Sequence, residues 1–141
     1  TLTDSSAASD VYKRQALSNP LTGVGVDNFY VNYYFYSPHW DGKNHAVHST
    51  WFQVLGETGF VGIGIFVLLI ASIYRSLSRV YCINALNHND QVAVNANALK
   101  AGLIGFMVAG TFLTQAFTWP LYIILALTIA LEKITVESNK E

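Results

Sequence analysis

"TGFVGIGIFVLLIASIY", residues 58–74, runs seventeen residues without a charge. With Trp51 to Glu57 added, a helix at ~1.5 Å per residue is long enough for a ~30 Å hydrocarbon core. The expected first span is therefore 51–75, closed by Arg75 and Arg79. Further on, Ala101 to Leu131 is free of charge for thirty-one residues, too long for one span of about 20. Trp119-Pro120 interrupts it, because proline lacks an amide proton and drives its predecessor out of the helical region. A hairpin follows: a second span over 96–117 and a third over 120–136, with Glu132 and Lys133 near its wet end and a tail over 137–141. Residues 76–98 contain the Asn-rich "VYCINALNHNDQVAVNANA" (80–98) and read as the connection between the first two spans. The expected fold is an all-α polytopic membrane protein with about three transmembrane helices in this chain.

Composition agrees. The 141 residues are 52% hydrophobic and 12% charged, about half the charged fraction of an ordinary soluble domain. A net charge of −1, with eight scattered Lys and Arg residues, leaves no footprint for nucleic acid. The single Cys82 has no partner for an internal disulfide and no second thiol for a metal cluster. Arg75, Arg79, Lys100 and Lys133 fall on one side of the three-span arrangement, which marks that side as cytoplasmic. The other side is extracytoplasmic and carries His39, His45, His48 and the Trp119-Pro120 corner.

Residues 1–15, "TLTDSSAASDVYKRQ", are small, polar and aperiodic. "SSAASDVYKRQ" resembles the translated linker found at the ends of fragmentary reading frames, so the segment is expected to be a non-native leader outside the fold; the other reading is a genuine disordered terminus. Residues 16–50 combine turn formers ("NPLTGVGVDNF", 19–29) with aromatics ("FYVNYYFYSPHWDG", 29–42). They read as an ordered loop at the water–membrane boundary, where amphipathic rings concentrate.

The polar head His48-Ser49-Thr50 abuts the apolar segment "WFQVLGETGFVG" (51–62). If residues 48–62 form one helix, Gly59 lies ~20° from His48, Gly62 ~40° to the other side and Gly56 ~80° away, so that the glycines form a trough beneath the imidazole. Glycines there would admit a neighbouring helix or a lipid chain. His48 is either a catalytic or ligand-binding group or a solvated interfacial one, since ionisable groups at membrane depth are costly and tend to be functional. His39, Asp41, His45 and His48 could alternatively be read as a metal site. Glu57 would point away from His48 on a continuous helix and reads as structural. Thr111, Thr114 and Gln115 form a polar cluster toward the outer end of the second span.

"NPLTGVGVDNF", then "HSTWFQVLGETGFVG" (48–62), then "GLIGFMVAGTFLTQAFTWPLYIILAL" (102–127), resemble in that order the C-terminal part of the O-antigen ligase and polymerase superfamily of bacterial inner membranes. Within it the chain is most similar to O-glycosylation ligases associated with exosortase A. The family signature, His followed by Ser, Asn or Gln, nine residues and Gly-x-x-Gly, matches His48, Ser49, residues 50–58, Gly59 and Gly62.

The resemblance implies a GT-C-like, metal-independent glycosyltransferase without a cofactor. It would take a glycan from undecaprenyl diphosphate and join it to an acceptor hydroxyl of a protein or lipid on the periplasmic face, with His48 as general base. Ser49, Gly59, Gly62 and Lys43 would border the substrate, and Tyr36, Trp40 and Trp51 would stack on sugar or isoprenoid, although interfacial anchoring explains these rings equally well. The family's diphosphate-binding arginines have no counterpart between Ala16 and Thr50, where Lys43 is the one basic residue. The chain is therefore expected to be a C-terminal part, inactive alone. A polymerase of lipid-linked repeats, or a transporter or non-catalytic membrane subunit, are the alternative readings.

Overall fold

The computed structural model describes residues 2–37, 40, 42–43, 48–86 and 90–138. These form five helices in chain order: α1 (Leu2–Ser18), α2 (Phe29–Tyr36), α3 (Thr50–Leu86), α4 (Asp90–Phe112) and α5 (Trp119–Ser138). The described residues contain no strand. Three helices, Thr50–Leu86, Gln91–Phe112 and Trp119–Ser138, are long and apolar enough to cross a membrane, with mean hydropathies of 2.2, 1.5 and 1.6 over their most apolar stretches. Ile65, Leu68, Val108, Ile123 and Ile129 on these helices are exposed. Side chains like these leave water only if lipid or another chain covers them. The chain divides into two units, Thr1–Val67 with Ala109–Ala116, and Leu68–Val108 with Phe117–Glu141.

In the second unit, each helix buries one stripe at heptad-like spacing: Ile70, Ile73, Leu77, Val80 and Asn84 on α3; Ala93, Ala96 and Leu103 on α4; Leu121, Thr128, Leu131 and Thr135 on α5. Successive steps of three, four and seven keep those residues on one face, and the small residues of α4 permit close approach. Asn84 Nδ2 donates to the Val80 carbonyl and to Thr135 Oγ1, both at 2.8 Å. Lys100 Nζ stands 5.4 Å from the ring centroids of both Tyr74 and Tyr81, so a cation of α4 lies against two aromatic faces of α3.

The boundaries differ from those expected. The connection placed at 76–98 is largely helical, because α3 continues to Leu86 and α4 begins at Asp90. Of the asparagines that suggest a loop, Asn84 is accommodated by a partner distant in sequence and Asn95 accepts from Gln91 one helical turn away. The break in the long apolar run falls at 113–118, ahead of Trp119-Pro120, which opens α5. Proline is tolerated in a helix's first turn, where its missing N–H would have had no intrahelical acceptor. The second and third helices long and apolar enough to cross a membrane are accordingly Gln91–Phe112 and Trp119–Ser138 rather than 96–117 and 120–136.

In the first unit, residues 2–15, part of the leader expected to stand outside the fold, contribute most of α1, a helix on which Val11, Tyr12, Gln15 and Ala16 are buried. The Tyr12 ring stacks on Phe29 of α2 at 3.7 Å between centroids. Burial, with the Glu57 carboxylate nearby, pushes the Tyr12 phenol up. The loop 16–50 thus contains ordered helix at α2.

The largest departure lies within α3. Gly59 has φ 69° and ψ −168°, outside the helical region, so the helix is two limbs, 50–58 and 60–86. Trp51 and Phe66 sit on different limbs, yet their ring centroids are 6.0 Å apart. A straight helix would separate these two Cα atoms by ~22 Å, more than the side chains bridge, so the axis bends sharply at Gly59. Residues 51–57 add nothing to the length of the first span, which the second limb supplies alone.

Candidate functional site

The signature segment is built around the short first limb. His48 and Ser49 precede the helix; His48 is exposed, whereas Ser49 and Thr50 are buried. The Ser49 carbonyl accepts the first helical bond, from the Gln53 N–H at 3.1 Å. Residues 50–58, the nine that separate Ser49 from Gly59, are this limb. The signature's spacer is therefore about two and a half helical turns, held at each end by a different part of the chain.

At the N-terminal end the holder is the turn that follows α4. Thr50 Oγ1 donates to the Leu113 carbonyl at 2.7 Å and accepts from the Gln115 N–H at 2.9 Å. Gln53 Oε1 accepts from the Ala116 N–H at 3.3 Å, and the Trp51 indole N–H donates to Thr111 Oγ1 at 3.4 Å. Gly110 packs against Thr50, where an added Cβ would lie 3.1 Å from Oγ1. An irregular backbone between two apolar helices must find hydrogen-bond partners inside the protein. Thr50 and Gln53 supply them, and the Thr111–Gln115 cluster is where they do so.

At the C-terminal end the holder is the loop 20–27. Val24 N–H donates to the Gly56 carbonyl at 3.0 Å and Gly25 N–H to the Glu57 carbonyl at 2.9 Å. These are carbonyls left over at the end of the first limb. Phe60 N–H, an unpaired donor opening the second limb, goes to the Pro20 carbonyl at 2.8 Å. Glu57 is 3% exposed, and its Oε2 accepts from the Asp27 N–H at 3.2 Å. Gly23, with φ 63°, lies so close to the Gly56–Glu57 backbone that a Cβ there would collide with it. Glu57 thus has a backbone partner thirty residues away, the kind of contact that a structural role requires.

The expected trough of glycines under His48 is not present. His48 stands before the helix, and Gly59 ends the limb eleven residues on, so the two mark opposite ends of ~16 Å of chain. Gly62 lies beyond the bend, against the Thr58 side chain. Among the other expected substrate residues, Trp51 is half-buried beside Phe66, and Trp40 is exposed, edge-on to Tyr34 at 4.8 Å. Tyr36 is half-buried; its hydroxyl accepts from Asn19 Nδ2 at 3.1 Å, and it shares a cleft with Arg14, Ser18 and Ser37. Lys43 is exposed. His39, Asp41 and His45 lie outside the described residues. The structure thus brings Ser49 and Trp51 together at His48's end of the limb, and leaves Gly59 and Gly62 at the other.

Thr50 and Gln53 carry more of this geometry than the sequence suggested. Thr50→Val keeps the shape and removes both bonds, leaving the Leu113 carbonyl and Gln115 N–H without that partner. It is expected to lower stability by about 2–4 kcal/mol, read as thermal unfolding of the purified chain in detergent. Thr50→Ser, which retains the hydroxyl, should stay within about 1 kcal/mol of wild type. Equal losses in both variants would assign the effect to packing instead.

Compared with known proteins, the chain matches no family model, no curated protein and no solved structure.

Proposed function

We propose that this chain is the C-terminal part of a membrane ligase that transfers a glycan from undecaprenyl diphosphate to an acceptor hydroxyl at the periplasmic face, with His48 as general base. One observation supports the reading above others: the three segments that carry the family resemblance, 19–29, 48–62 and, within 102–127, residues 111–116, meet through hydrogen bonds on the limb that follows His48.

The chemistry asks little else of this chain. The acceptor oxygen attacks the anomeric carbon while the bond from that carbon to the diphosphate oxygen breaks. The hydroxyl proton passes to the imidazole, and undecaprenyl diphosphate leaves with the bonding electron pair. An imidazole titrates near neutrality and suits that proton transfer. Diphosphate is a good leaving group that benefits from cationic forks. Under this proposal other parts of the parent enzyme supply those cations.

The test uses the parent in proteoliposomes with an undecaprenyl-diphosphate-linked glycan. Release of undecaprenyl diphosphate is expected when an acceptor hydroxyl is supplied, and EDTA should not diminish it. Absence of release with every lipid or protein acceptor offered, in a preparation shown to be inserted, would overturn the ligase. Elongation of the lipid-linked glycan itself would replace it with the polymerase.

The same reading fixes the topology. Ser37→Cys should react with an impermeant thiol reagent added from the periplasmic side, whereas Cys82, exposed near the end of α3, should react only after permeabilisation. The reverse pattern would invert the assignment of faces.

A further inference from the structure

Helix α2 has one covered face and one open face. Phe29 and Tyr33, four residues apart, are buried. The opposite side carries Tyr30, Val31, Tyr34 and Phe35, with Val31 73% and Phe35 75% exposed. At 100° per residue these four cover an arc of about 140°, and none bears a charge. Trp40 extends the patch, exposed and edge-on to Tyr34. A helix facing water shows polar residues on its outer side, so an aromatic arc of this width is matched to an apolar covering.

The attachment of α2 decides what the covering is. The loop 20–27 leads into Asn28 and α2 and is bonded to Gly56, Glu57 and Phe60. Phe60 begins the apolar second limb of α3, on which Phe60, Val61 and Ile65 are themselves exposed. The base of α2 is therefore tied to the place where the exposed apolar surface of a helix long enough to cross a membrane starts, and its open face is similar in character to that surface. The mixture of rings is specific as well: Tyr and Trp put an apolar body beside acyl chains while a hydroxyl or indole N–H stays wet.

We propose that the open face of α2, with Trp40, is seated in the headgroup–acyl boundary of the bilayer leaflet at the Phe60 end of α3, so that the partner of this surface is the lipid itself. The inference is independent of the ligase reading and would hold for any activity at His48.

Nitroxide labels test it. In a Cys82→Ser background, Phe35→Cys and, separately, Val31→Cys are labelled in phosphatidylcholine nanodiscs. Both positions are exposed, so neither substitution opens a cavity in the core. Collisions with oxygen are expected to exceed those with a water-soluble nickel chelate by more than about threefold, relative to a Glu137→Cys label on the exposed, charged last turn of α5. An Ile65→Cys label, on the exposed apolar face of α3, serves as the second reference. Nickel accessibility equal to that at Glu137 would put the face in water and overturn the proposal. Immobilised spectra with low collision rates for both reagents would overturn it too, by showing the face covered with protein, whether a second copy or another segment.

Discussion

His48→Ala is expected, on the proposed ligase reading, to lower glycan transfer by the parent protein by about 10²- to 10⁴-fold, the usual contribution of a positioned general base, with insertion and folding unchanged. The two halves of that expectation come from different observations. His48 is exposed and precedes α3, so its removal leaves no cavity, and its stability effect should stay within about 0.5 kcal/mol. Ser49 and Thr50, the next two residues, are buried, and Thr50 is bonded to the turn after α4. The imidazole is thus carried on a fixed stem without belonging to the core. A group that only accepts a proton in the transition state should lower kcat and kcat/KM together. His48→Gln, which keeps a hydrogen-bonding side chain and cannot serve as a base near neutrality, should lose as much as His48→Ala. Wild-type transfer by either variant in proteoliposomes, at equal amounts of inserted protein, would remove His48 from the chemistry.

The apolar lengths were legible because they are written locally: a run without charge is its own evidence, and residues 58–74 and 101–131 place the three spanning helices approximately. What escaped were features set by partners distant in sequence. Gly59 could be read as a small residue on a helix face, since composition does not reveal the sign of φ. Its conformation is fixed by a loop around Pro20 and Gly23. The asparagines of 80–98 carry turn propensity, and at Asn84 this is overridden by Thr135, fifty-one residues away. Trp119-Pro120 signals that the long run must break, but proline fits the start of a helix as well as the end of one, and here the pair opens α5. Thr50 drew attention only as one of three polar residues, because its partners at Leu113 and Gln115 are more than sixty positions off. At the candidate site the identity and spacing of His48, Ser49, Gly59 and Gly62 were legible. Their arrangement was not, because the spacing was converted to angles on a helix that does not continue.

Gly59→Ala should have the largest effect on the fold. The backbone there, φ 69° and ψ −168°, belongs to a region that glycine alone occupies freely; another residue incurs about 1–3 kcal/mol of strain. An added Cβ would also stand 2.7 Å from the Pro20 carbonyl oxygen, 2.8 Å from the Gly23 nitrogen and 2.9 Å from the Leu21 carbonyl carbon. All three are backbone atoms, and Gly23 is itself held closely against Gly56 and Glu57. Relief would require loop 20–27 to withdraw, giving up its bonds to Gly56, Glu57 and Phe60. With overpacking of about 1–3 kcal/mol added, the loss is comparable to the whole stability of a marginal domain. Limited proteolysis should then cut within 20–27 of the variant but not of wild type, and the ~16 Å of chain between His48 and the bend should lose its anchor at one end. Gly64→Ala, where a Cβ meets nothing within 4 Å, provides the control and should leave both stability and cleavage unchanged. If Gly59→Ala were as resistant as Gly64→Ala, the bend would not depend on glycine, and α3 could run straight through the signature.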